Sequence, residues 1–154
     1  MFWTELGHNN LPKVVKSNLD GTQCVALVAS SLTDPWGITL DGRNKVVFWV
    51  DFSTGDIECV DYGGNNRRLL VTFPPASYLW GVTFTSSYLF VTSLRNCHKV
   101  DASNGSVVRK FSIKPAVRSY GLIAFDSSLQ ASGLRYNSSI KDIGKSKRWV
   151  KVQY

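Results

Sequence analysis

Few residues of this chain are arranged for bond-making. Its 154 residues contain no GxSxG elbow, HExxH, phosphate-binding loop, dinucleotide fingerprint or EF-hand loop. Asp51 could act as a catalytic carboxylate only beside a base or a metal, and no such partner stands out in the sequence. His8 and His98 could titrate in mildly acidic solution. Cys24, Cys59 and Cys97 show no CxxC spacing, and their odd number leaves at least one thiol unpaired within a monomer. Cys59 falls in a predicted strand and reads as a small apolar residue. Cys97 falls in a predicted turn and reads as the more reactive thiol. No metal or cofactor is implied. What the residues do supply is recognition chemistry, because large aromatics anchor interfaces. Trp36, Trp80 and Tyr120, with Arg118 nearby, are the candidate ligand-binding residues. Asn104-Gly105-Ser106 and Asn137-Ser138-Ser139 fit the pattern of N-glycan acceptors.

Charge narrows the partners. The formal net charge is +7, and much of the excess sits from Lys141 to the end, where Lys141, Lys145, Lys147, Arg148 and Lys151 face Asp142 alone. Such a tail is a solvated terminus or a contact for an acidic partner. The other conspicuous basic pair is Arg67-Arg68, and no nucleic-acid-binding motif accompanies it. Nucleic acid is therefore not an expected partner. No run of about 18 apolar residues exists to span a bilayer. The chain opens Met1-Phe2-Trp3-Thr4, without a basic region and an apolar stretch, which taken alone suggests the cytoplasm.

The elements that position these residues recur. Phe2-Trp3-Thr4-Glu5 returns as Phe48-Trp49-Val50-Asp51 and again as Phe90-Val91-Thr92-Ser93. A second phrase runs out of phase with the first: Trp36-Gly37-Ile38-Thr39-Leu40, Trp80-Gly81-Val82-Thr83-Phe84, then Tyr120-Gly121-Leu122. A third is a turn, read at Leu19-Asp20-Gly21-Thr22, Tyr62-Gly63-Gly64-Asn65 and Ala102-Ser103-Asn104-Gly105. Asp-Gly, Gly-Gly and Asn-Gly supply the positive φ of tight hairpins. The segments between are β-branched and aromatic, without capped helical periodicity. A repeat of about 40–46 residues with four strands is propeller spacing. Strands are predicted at 1–4, 13–18, 24–28, 36–40, 46–50, 57–61, 68–72, 80–84, 88–92, 98–101, 107–112 and 120–125.

Phe48-Trp49-Val50-Asp51, preceded by Pro35-Trp36-Gly37-Ile38-Thr39-Leu40-Asp41 and followed by Tyr62-Gly63-Gly64-Asn65-Asn66-Arg67-Arg68-Leu69-Leu70, resembles the YWTD repeat, LDL-receptor class B. Residues 121–130 resemble the segment that closes such propellers. The resemblance implies an all-β fold: a partial six-bladed YWTD β-propeller of three four-stranded blade equivalents. They fall at about 1–33 plus 118–126, at 34–76 and at 77–117, so that 1–130 is the propeller fragment and 131–154 the basic tail. It also implies that Asp51, and Glu5 at the same place, lock blades by bonding backbone amides. Ser93 stands at that place in the third copy. In a propeller the strands opened by Trp36, Trp80 and Tyr120 lie nearest the central channel, where these rings can face a ligand or pack between blades.

The function implied by the resemblance is an extracellular or cell-surface ligand-binding module of an LDL-receptor-related protein, endocytic or signalling. It binds a secreted protein or peptide without catalysis and meets the membrane only through a parent receptor. The alternative is a calcium-dependent hydrolase on a six-bladed propeller, although Thr39 and Thr83 stand where acidic ligands would be needed. Three or four large side chains left wet on an open arc would cost on the order of 5–10 kcal/mol. That is comparable to the whole stability of a domain. The isolated chain is therefore expected to fold poorly, aggregate or self-associate to complete a ring.

Overall fold

The computed structural model describes residues 1–7 and 11–112, all in strands, turns and connections. Three antiparallel meanders are present. The first sheet holds β1 (Phe2–Glu5), β2 (Lys13–Lys16) and β3 (Val25–Val28) in order β1-β2-β3. The second holds β4 (Pro35–Asp41), β5 (Val46–Asp51), β6 (Asp56–Asp61) and β7 (Arg68–Thr72) in order β4-β5-β6-β7. The third holds β8 (Gly81–Thr85), β9 (Tyr88–Thr92), β10 (Asn96–Asp101) and β11 (Val107–Ser112) in order β8-β9-β10-β11. These are radially stacked blades of a partial β-propeller: two complete and one described through three strands. His8, Arg118, Tyr120, Asn137, the strand expected at 120–125 and the tail at 131–154 lie outside the described residues.

The apolar run Val46–Val50 is explained by burial on both faces. Alternate side chains of a strand point to opposite sides of its sheet. Val47 and Trp49 join Val14, Val28 and Val60 in the seam with the first blade. Phe48 and Val50 join Ile57, Leu79, Val82, Leu89 and Val91 in the seam with the third. Each such side chain contributes about 1.5–3 kcal/mol when fully buried. The middle blade therefore has no solvent face along β5, which erases the polar alternation of an ordinary half-exposed strand.

Two glycines set how closely blades approach. A Cβ on Gly37 in β4 would lie 2.7 Å from the Trp80 carbonyl oxygen and 2.9 Å from Gly81 Cα. The innermost strands β4 and β8 thus meet backbone to backbone, and the Thr39 hydroxyl accepts a bond of 3.1 Å from the Phe84 amide across the gap. On the outer side Gly105, at φ +77°, sits against the Leu70 carbonyl of β7, where a side chain would collide.

One expectation is corrected. Cys97 lies within β10, not in a turn, because the preceding reversal is tight: the Ser93 amide donates to the Asn96 carbonyl at 2.8 Å. Burial pushes its thiol up from the usual cysteine value, so Cys97 is a poor thiolate. Burial likewise raises Cys59, while Cys24 is exposed.

Candidate functional site

One strand start and two connections bring aromatic side chains to one end of the blades. Trp36 opens β4, Phe52 follows β5, and Tyr78 and Trp80 lie in the connection from β7 to β8. Their ring centroids form a continuous cluster: Trp36–Trp80 at 5.0 Å and edge-on, Phe52–Trp80 at 4.5 Å, Phe52–Tyr78 at 5.1 Å and Trp36–Phe52 at 5.7 Å. These separations and tilts are the favourable ones for aromatic pairs. Trp36 and Tyr78 are each 39% exposed, so the cluster packs between blades and still presents aromatic surface to solvent. Both roles open to Trp36 in the sequence are thus compatible with one position.

The cluster stands on polar supports. Asp34 accepts from Trp36 Nε1 at 3.1 Å and from the Ser53 hydroxyl at 3.1 Å, which ties the aromatic ring to the β5–β6 turn. Asp51, 3% exposed, accepts four amides: Thr33 and Asp34 at 3.0 and 2.8 Å on one oxygen, Ser53 and Thr54 at 3.1 Å each on the other. Its carboxylate thereby joins the connector arriving from the first blade to the turn that carries Phe52. Glu5 makes a different contact, accepting from Trp3 Nε1 at 2.9 Å on an exposed edge. Tyr78 has φ 49° and Ala76 φ 61°. Left-handed backbone at a bulky residue is unusual and is held by its surroundings, here the ring contact with Phe52.

Sequence reading missed Phe52, Tyr78 and Asp34. A signal for Phe52 existed: an apolar residue follows the strand end in all three copies, as Leu6, Phe52 and Leu94. Nothing repeats around Tyr78, which sits in an irregular connection. Elsewhere, Asp20, Asp61 and Asp101 cap turns and are held below the usual carboxylate range. The chief causes are bonds from the Thr22 amide, the Asn65 amide and the Ser103 hydroxyl respectively. His98 is buried beside Phe73 and 3.3 Å from the Ser93 hydroxyl. Burial first, and the charge of Lys110 second, push its pKa down, so it stays neutral into mildly acidic solution. Among the described residues no group of three or more His, Cys, Asp or Glu could hold a metal ion. No helix among them is long and apolar enough to cross a membrane.

Comparison with known proteins follows the same lines. The chain is 26% identical over 115 residues to the vitellogenin receptor Yl of Drosophila melanogaster, covering 71% of this chain and 6% of that protein. It is 26% identical over 112 residues to the human low-density lipoprotein receptor-related protein 5-like protein, covering 70% and 43%. Over 73 residues it is 36% identical to mouse low-density lipoprotein receptor-related protein 4, covering 46% and 4%. A chain in the crystal structure of a nidogen/laminin complex superposes with TM-score 0.70 at 27% identity, over 78% of this chain and 45% of that one. A luciferin-regenerating enzyme shares the fold at TM-score 0.56 and 18% identity, over 68% and 37%. No protein-family model matches. The chain spans less than half the length of these relatives.

Proposed function

Since the described strands are YWTD-type propeller blades of the LDL-receptor class, we propose that the chain is a non-catalytic recognition module of an extracellular or cell-surface protein, and that the Trp36–Phe52–Tyr78–Trp80 end docks a secreted protein or peptide. The observation that carries this reading is the assembly of four rings from three separate segments, partly exposed and fixed by Asp34 and Asp51. Rigid aromatic surface beside a carboxylate suits an apolar side chain flanked by a basic or hydrogen-bond-donating group. The receptor relatives and the nidogen/laminin neighbour support protein ligands as the class. The hydrolase alternative draws on the propeller fold shared with the luciferin-regenerating enzyme and on nothing in this site.

A ligand-independent test selects peptides from a random displayed library on the immobilised chain. Binders should weaken at least tenfold against Trp36→Ala and Tyr78→Ala, corresponding to about 1.4 kcal/mol or more. They should be unaffected by Lys45→Ala at the opposite strand ends. Binders indifferent to both aromatic substitutions would sink the assignment.

A further inference from the structure

We propose that Asn104 is an acceptor for an N-linked oligosaccharide, placed so that the glycan leaves the aromatic end open. The inference rests on the extracellular reading above. Asn104 lies in the exposed turn joining β10 to β11, in the order Asn104-Gly105-Ser106. Its side-chain oxygen accepts the Ser106 amide at 2.8 Å, which pins the carboxamide over the hydroxyl-bearing residue two positions on. Its Nδ2 has no partner among the described residues and faces solvent with the rest of the side chain.

The intervening Gly105 turns the other way, into the Leu70 carbonyl of the middle blade. The turn thus packs against the middle blade through Gly105, while Asn104 itself is exposed. The matching turn of the middle blade lacks both features: Asn66 Nδ2 is engaged by the Asp61 carboxylate at 3.0 Å, and neither Asn65 nor Asn66 has Ser or Thr two residues on.

Position separates the glycan from the proposed ligand surface. β10 has six residues and runs from the Ser93–Asn96 turn, near the aromatic end, to Asp101 beside Asn104. At roughly 3.3 Å per residue the two ends are about 17–20 Å apart. In the transfer itself, Asn104 Nδ2 forms a bond to the anomeric carbon of a lipid-diphosphate-linked oligosaccharide. The anomeric C–O bond breaks, the lipid diphosphate departs with the bonding pair, and one amide proton is lost.

The test expresses the full 154-residue chain behind a cleavable secretion signal in cultured animal cells. Chain from both the medium and the membrane fraction is digested with a glycosidase in heavy-oxygen water and mapped by mass spectrometry. Most molecules should carry the label at residue 104. The label should vanish in Asn104→Gln and in Ser106→Ala, and return in Ser106→Thr. Chain with unmodified Asn104, or glycan on Asn137 alone, overturns the proposal. Because the signal is supplied, acceptor competence is read apart from natural location. Antibody labelling of intact cells that make the parent protein reads location separately.

Discussion

Glu58 in β6 and His98 in β10 occupy the same place in successive blades, three residues before the aspartate that ends the strand. Each faces the preceding blade, and each holds the connector arriving from it by different chemistry. Glu58 receives Arg67 at 2.8 and 2.9 Å, and the same guanidinium donates to the Ser30 and Ser31 carbonyls at 2.6 and 2.7 Å. It also lies 5.7 Å from the centre of the Trp49 ring. His98 instead sets its ring edge-on to Phe73 at 4.7 Å. Even the deficits match: Trp49 Nε1 and His98 Nδ1 are buried without a hydrogen-bond partner among the described residues, one at each seam. The repeat keeps the place and its task of holding a connector, while the interaction that performs the task is free to change.

The contrast can be broken in order of effect by urea unfolding followed through tryptophan fluorescence. Trp49→Ala should cost about 4 kcal/mol and Val91→Ala, at the equivalent place, about 2 kcal/mol. Equal losses would mean the two seams carry equal load. Asp51→Ala should cost about 3 kcal/mol because it strands four partly buried amides at once, whereas Ser93→Ala should cost about 1 kcal/mol. A small effect at Asp51 would show that water replaces the carboxylate. Arg67→Ala should cost about 1–2 kcal/mol, discounted because its side chain is 24% exposed. The smallest effect is acidic. His98 has a depressed folded-state pKa, so the unfolded chain takes up the proton first. Stability is full above about pH 6.5, the unfolded value, and declines as pH falls until the folded ring also protonates. His98→Leu should flatten that slope and leave the seam between the first and middle blades untouched. An unchanged slope would place the acid sensitivity elsewhere.

Much of this was legible beforehand. Phe48-Trp49-Val50-Asp51 and the Trp-Gly phrase located both complete blades to within a residue or two, because strands buried on two faces carry unbroken apolar runs. Gly37 was visible as a repeat mark, and its reason emerged only with the approach of Trp80 and Gly81 across the blade gap. Cys97 was misplaced because Arg95-Asn96 resembles loop chemistry, while the reversal closes within Ser93–Asn96. The aromatic cluster was half legible. Trp36 and Trp80 open repeated strands, but Tyr78 owes its position to a connection whose backbone adopts φ values that no short motif specifies.

Asp51 and Arg67 hold the same stretch of chain: the carboxylate takes the amides of Thr33 and Asp34, and the guanidinium takes the carbonyls of Ser30 and Ser31. Both grips come from the blade that follows. A protease cutting between Ser31 and Thr33 would sever the covalent link between two blades yet leave each new end clasped. The nicked halves would then travel together under native conditions and part only in denaturant, so cleavage there need not silence the module.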